Sequence, residues 1–312
     1  MNIRPYRDSD FHPLLHLWEQ AIHLDTPTPG DFVRRVLLDE NRSPDGLLIA
    51  ETEEDKIAGF VLCLTLRHPI ENVGLLEERG FISAFGVLPE MRRRGIGRAL
   101  FEQAERWFAE KKRREIVIAP YPPNYFIPGV DKNHYAPAVS FLQNLGYEEF
   151  TDAIAMDAAI GQFELPKKIR EKEKTLAAEG IKIEPLSVQK LVQFLIFMEK
   201  TMPGDWVQAA RDRLREIADH ALFDAVWLAI HGGEIVGYCQ FDGEHFGPFG
   251  VADTHQGRGI GTVLLAKTLL QMRKSGHHSA YVLWTGERAA QGVYAALGFQ
   301  ITRRFGLFRK QI

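Results

Sequence analysis

The 312 residues include only two cysteines, Cys63 and Cys239. Each lies in an apolar stretch, IAGFVLCL and IVGYCQF, as a small core residue would. Two isolated cysteines supply neither a disulfide framework nor a metal site, so no metal is expected. Long hydrophobic runs are missing as well. The longest, around Leu191 to Met198, falls far short of the roughly 18 residues a membrane span needs. The opening MNIRPYRDSD lacks the apolar stretch of a signal peptide. There is no basic excess: the net charge of -3 argues against a nucleic-acid partner. These absences lead to the expectation of a cytoplasmic protein, a monomer or homodimer, engaging neither membrane nor nucleic acid.

What is present is a chain that repeats itself. Ile3-Arg4-Pro5 recurs as Ile183-Glu184-Pro185, and Ile57-Ala58-Gly59-Phe60 as Ile235-Val236-Gly237-Tyr238. Phe85-Gly86-Val87 with Arg94-Gly95-Ile96-Gly97 recurs as Phe249-Gly250-Val251 with Arg258-Gly259-Ile260-Gly261. Leu145-Gly146-Tyr147 recurs as Leu297-Gly298-Phe299. Four matches in one order mark a duplication. The offset between copies shrinks along the chain, so the first copy carries two insertions. One lies between its third strand and the glycines, and the other is the Tyr/Pro-rich stretch Tyr121 to Pro137. The expected division is 1–160, a charged helical linker at 161–180, and 181–312. In the linker, seven of the eight residues from Lys167 to Lys174 are charged, which reads as an exposed connecting helix. Each copy runs strand, helices, strands, helix, strand, helix and final strands. The expected class is α/β (α+β): two sheets, each mixed and mostly antiparallel, flanked by helices.

In each copy an apolar strand passes through a polar turn and glycines into an amphipathic helix, with Ile96, Leu100, Ala104, Trp107 and Phe108 at helical spacing in the first. A helix that starts at glycines presents free N–H groups and the positive end of its dipole, which suits a phosphate. A dinucleotide fold would need a third glycine directly after its opening strand, and neither copy has one.

Arg92-x-x-Gly95-x-Gly97 and Gln256-x-x-Gly259-x-Gly261 resemble the Q/R-x-x-G-x-G/A signature of GNAT acetyltransferases, over nearly the whole chain. The tandem arrangement is similar to that of mycothiol synthase-like enzymes. The resemblance implies a V-shaped splay between the fourth and fifth strands that admits the pantetheine arm of acetyl-coenzyme A. The pyrophosphate would sit on N–H groups of Arg92, Arg93, Arg94, Gly95, Gly97 and Arg98, and of Gln256, Gly257, Arg258, Gly259, Gly261 and Thr262. Phe85 and Val87, or Phe249 and Val251, would hydrogen-bond pantetheine through their main chain.

Acetyl transfer to an amine needs a proton acceptor for the ammonium and an acid for the departing thiolate. Tyr294, four residues before Gly298, stands where GNAT enzymes commonly carry that acid; the first copy has Leu142. His245 stands at the position of the base in several GNAT enzymes, with Glu244 beside it; the first copy has Phe81. The second copy is therefore expected to be the N-acetyltransferase, moving acetyl from acetyl-coenzyme A to a primary amine. The alternatives are catalysis in the first copy, with Tyr125, Asp131, His134 and Tyr135 as substitutes, and a non-catalytic acyl-coenzyme A sensor. Asp205, Trp206 and Tyr238 are candidate acceptor contacts.

Overall fold

The computed structural model describes residues 1–122, 124–220 and 222–312. Pro123, inside the Tyr121–Pro137 insertion, thus lies outside the described residues. The chain forms two compact units: Met1–Pro69, Gly74–Ala153 and Arg304–Ile312 make the first, Ile70–Val73 and Ile154–Arg303 the second.

In the first unit β1 (Asn2–Pro5), β2 (Leu47–Glu51), β3 (Ile57–Leu64) and β4 (Arg79–Val87) pair antiparallel in that order. β5 (Glu115–Ile118) then joins β4 in parallel. Both faces of the sheet are covered, so β2 is buried along its whole length rather than alternately. Helix α1 (Phe11–Ala21) buries Leu14, Leu17, Trp18 and Ala21, a single stripe at helical spacing. Its Trp18 stacks on Phe60 of β3 at 4.6 Å. The short α2 (Pro29–Phe32) starts at the N-cap Thr28 with Pro29 in its first turn. On the other face α3 (Ile96–Glu110) buries Ile96, Leu100, Phe101, Ala104, Trp107 and Phe108. β6 (Val130–Asp131), α4 (Ala136–Asn144) and β7 (Glu148–Ala159) follow.

The second unit repeats the plan. α5 (Lys167–Ala178) precedes β8 (Ile181–Pro185), α6 (Leu191–Thr201) and α7 (Gly204–His220). β9 (Val226–His231), β10 (Glu234–Asp242) and β11 (His245–Val251) extend β8 as an antiparallel sheet. After α8 (Ile260–Lys274), β12 (Ser279–Thr285) lies parallel to β11, and α9 (Glu287–Ala289) leads to β13 (Gln300–Gln311).

The last strand of each unit comes from the other copy's share of the sequence. Ile154–Ala159 of β7 pair with Thr285–Ser279 in the second unit, and Arg309–Gln311 of β13 pair with Val117–Glu115 in the first. The division at 160 and 181 follows the repeat; the compact units cross it at these two strands. The charged helix α5 also differs from the exposed connector expected. Leu176 is buried against the core of the second unit, and Glu173 and Glu179 pair with Lys267 (2.9 Å) and Arg258 (2.5 Å). No helix among the described residues is long and apolar enough to cross a membrane.

Candidate active site

The parallel pairing of β4 with β5 runs from Arg79–Glu115 to Ile82–Ile118 and stops there. Phe85 and Val87 lie beyond it, paired only to β3, through Val61 and Gly59. In the second unit the β11–β12 register is one pair, His245 with Tyr281, and Phe249 and Val251 again lie past it. Each unit therefore has a strand whose outer peptide edge is released as its neighbour diverges. In both, a bulge in pairing with the third strand falls next to the divergence, between Leu62 and Cys63 and between Cys239 and Phe241.

The turns that follow are built alike. Gly95 and Gly259 cap their helices at φ 83° and 85°, in the left-handed region that favours glycine. Two residues earlier the backbone is left-handed again, at Arg93 (φ 62°) in one copy and Gly257 (φ 77°) in the other. Arg92 Nε and Gln256 Nε2 donate to the last carbonyl of the preceding strand, Val87 O (3.1 Å) and Val251 O (3.2 Å). These two side chains thus brace the turn. The first helical N–H groups, which have no intrahelical acceptor, are left to meet an anion.

The two turns differ in what surrounds them. Arg93, Arg94 and Arg98 are exposed, and nothing stands within 4 Å of where a side chain on Gly95 would begin. Arg258 is ion-paired with Glu179, and a Cβ on Gly259 would stand 2.5 Å from Lys172 Cε. Gly97 lies against Phe141, Gly261 against Phe249, and Thr262 is half-buried in the first turn of α8.

These features, a splayed fourth strand and a glycine-initiated helix repeated in one chain, define a known family. A profile of the acetyltransferase (GNAT) family matches residues 12–147, and one of the acetyltransferase (GNAT) domain matches residues 223–301. The chain belongs to the GNAT acetyltransferases. Among solved structures, the GNAT chain is similar to a GCN5-related glucosamine N-acetyltransferase region of a fungal multi-domain β-N-acetylglucosaminidase. That likeness has a TM-score of 0.80 at 18% identity over 99% of this chain, which spans only 38% of the fungal one. A GCN5-related N-acetyltransferase from Sphaerobacter thermophilus follows at 0.72 and 17%, covering 99% of this chain and 95% of that one. A tandem GNAT protein of the clavulanic acid biosynthesis pathway gives 0.64 and 15%, covering 99% and 98%. No functionally curated protein matches by sequence.

Around the second GNAT splay, Tyr294 is buried at 5% exposure, its ring 5.6 Å from Phe246 and 6.4 Å from Phe249. Burial pushes its hydroxyl up to about 12, against a hydrogen bond with Thr285 that pulls the other way. His245 begins β11 beside Tyr281, ring to ring at 5.1 Å. Its neighbour Phe246 faces Tyr294, so the imidazole points to the opposite side of the strand. Burial holds the imidazole below its ordinary pKa of 6.5, with the Asp242 charge opposing. Glu244 is not brought to this group. Its exposed carboxylate is held low by hydrogen bonds from Ser279, and its carbonyl accepts from Tyr281 N at 2.9 Å.

The corresponding positions of the first unit are apolar: Leu142 and Phe81 are 0% and 2% exposed. The inserted polar residues build a scaffold there. Asp131, fully buried, accepts from Asn133 N, His134 N and His134 Nδ1 at 2.9, 3.0 and 2.8 Å. Tyr135 OH donates to Asp25 (3.3 Å), and the Tyr125 carbonyl accepts from Arg35. Beside them an open cavity of about 150 Å³ is lined by Asp25, Thr26, Pro27, Asp31, Arg35 and Phe126. Sequence reading missed a buried network in which Tyr121 OH donates to Asp39 Oδ1 (2.8 Å) and accepts from Asn41 Nδ2 (2.9 Å). Its members are about 80 residues apart, and only the fold joins them.

If His245 acts as the base, its depressed pKa sets the sign of the pH response. Protonation removes the base, so kcat/KM is expected to hold through neutrality and fall only below pH 6.5. Over the same window the unfolded chain binds a proton that the folded one refuses, so unfolding free energy should decrease as pH drops. His245→Phe should shift or abolish the acid limb of the rate profile and lessen the acid loss of stability, read by pH-dependent kinetics and chemical denaturation.

Proposed function

We propose that the second unit is an N-acetyltransferase that moves acetyl from acetyl-coenzyme A to a primary amine. The observation that carries this reading is the pair His245 and Tyr294, on opposite sides of β11 where it leaves β12, set against Phe81 and Leu142 in the first unit. Neutral His245 takes a proton from the acceptor ammonium. The amine nitrogen attacks the thioester carbon, the C–N bond forms and the C–S bond breaks. Tyr294 gives its proton to the departing sulfur, and the second proton, shed by the nitrogen as the amide forms, returns to the Tyr294 oxygen, so that no phenolate remains. The peptide edge of Phe249 and Val251 would hold pantetheine, and the turn from Gln256 to Thr262 the pyrophosphate. The acceptor is an amine; the fungal structural neighbour acts on glucosamine by its name, which makes amino sugars the first acceptors to assay.

The first unit keeps the same turn with Arg93, Arg94 and Arg98 exposed, which favours binding there without turnover. Calorimetric titration with acetyl-coenzyme A is expected to give two sites per chain. Gly95→Glu should remove the tighter one, because Arg94 and Arg98 are exposed and unpaired among the described residues while Arg258 must leave Glu179. Gly259→Glu should remove the weaker one together with amine-dependent release of coenzyme A. Loss of turnover with Gly95→Glu instead would move the chemistry to the first unit, and no binding at all would end the acetyl-coenzyme A reading.

A further inference from the structure

The two copies differ on one face of the third strand. Tyr238 and Gln240 stand where the first copy has Phe60 and Leu62, two residues apart and so on one face. In the first unit that face is apolar, with Phe60 and Leu62 at 0% and 1% exposure. In the second unit burial is just as deep, 0% and 5%, yet among the described residues neither the Tyr238 hydroxyl nor Gln240 Oε1 has a hydrogen-bond partner. Unpaired buried polar atoms oppose folding, and Phe60 and Leu62 show that the same place can be filled without them.

Helix α6 packs on this face, with Phe194 and Phe197 at 5.4 and 6.3 Å from the Tyr238 ring, and α7 approaches it. The first turn of α7 brings the Trp206 ring to 6.5 Å from Tyr238. It also brings Asp205, whose half-buried carboxylate is held by the backbone N–H groups of Asp205 and Trp206, is raised by burial, and acts electrostatically on the Tyr238 hydroxyl. Among the described residues Asp205 has no cationic partner. The arginines of α7 are paired with other carboxylates: Arg211 with Glu71 and Glu199, Arg213 with Glu216 and, at the end of this face, Asp242, and Arg215 with Asp212. Asp242 ends the same face of β10 and lies opposite His245 in register, so the row leads to the candidate base.

We infer that this layer binds the acceptor, and that the acceptor is a hydroxylated primary amine, an amino sugar or amino alcohol. Its ammonium is received by Asp205 against the Trp206 ring, and its hydroxyls satisfy Tyr238 and Gln240. The inference rests on the acetyl-transfer reading of the second unit for the meaning of the site, but its test is binding alone. Glucosamine is titrated into the full chain without acetyl-coenzyme A, beside putrescine, which has charge without hydroxyls, and glucose, which has hydroxyls without charge. Glucosamine should bind about tenfold more tightly than either, and Tyr238→Phe and Asp205→Asn should each weaken it by about tenfold. Tyr238→Phe should melt no lower than the parent, which separates lost recognition from lost folding. Equal binding of all three compounds, absence of glucosamine binding, or indifference to both substitutions would overturn the assignment. Binding that meets these expectations in a chain that acetylates nothing would sink the proposed chemistry and leave this site standing.

Discussion

Tyr294→Phe should lower kcat for amine acetylation by about a hundredfold, the lower end of what a positioned general acid contributes. The lower end is appropriate because a thiolate, with a reference pKa of about 8.5, leaves without much help. The ring itself is retained, packed on Phe246, Phe249 and Phe299, so KM for acetyl-coenzyme A should change little. Only the bond to Thr285 is lost, worth about 1 kcal/mol, so the variant should still fold. Because the hydroxyl lies near 12, its removal should leave the pH profile between 6 and 9 unchanged in shape. Release of free thiol at saturating acceptor, followed against pH, measures all of this. Full activity in the variant would remove Tyr294 from the mechanism.

Phe308→Ala should produce the largest loss of stability, about 3–5 kcal/mol, the usual penalty for emptying a buried phenylalanine site. Phe308 is 0% exposed and belongs to the core cluster that includes Leu100, Phe101 and Trp107, although it lies near the far end of the chain. The damage should therefore fall on the first unit. Native-state hydrogen exchange would show it directly: amides of β2, β3 and β4 should lose protection while those of β9 and β10 keep theirs. A uniform loss across both units, or a loss confined to the second, would contradict the strand assignment.

The duplicated fold was legible because its strongest signals are local. Arg92 to Gly97 and Gln256 to Gly261 each encode a turn, a left-handed cap and a helix start within six residues, and the repeat supplies the frame for the rest. Tyr294 and His245 follow from the family resemblance, at fixed distances from Gly298 and Val251. The structure adds the environment that spacing cannot give: the aromatic packing around one and the burial that keeps the other neutral. What stayed hidden depends on partners remote in sequence. β7 and β13 have similar patterns, and nothing in either says which sheet it completes. The ion pair of Arg258 with Glu179 was invisible because α5 looked like a solvated helix, its single buried Leu176 outweighed by its charges. Tyr238 is legible as a candidate acceptor contact, but Gln240 is not, since only burial without a partner distinguishes it from any strand glutamine.

The crossing of the final strands has a temporal side. During synthesis the first 153 residues emerge with five strands ready to pair, but the strand that covers β5 is more than 150 residues away. The first half of the chain must wait, with the β5 edge open, while the whole second half is made. Open edges invite association with other chains, and closure over so long a separation is slow. The order of maturation is thus the reverse of the order of translation: the second unit, which receives its borrowed strand early, is placed to finish before the first.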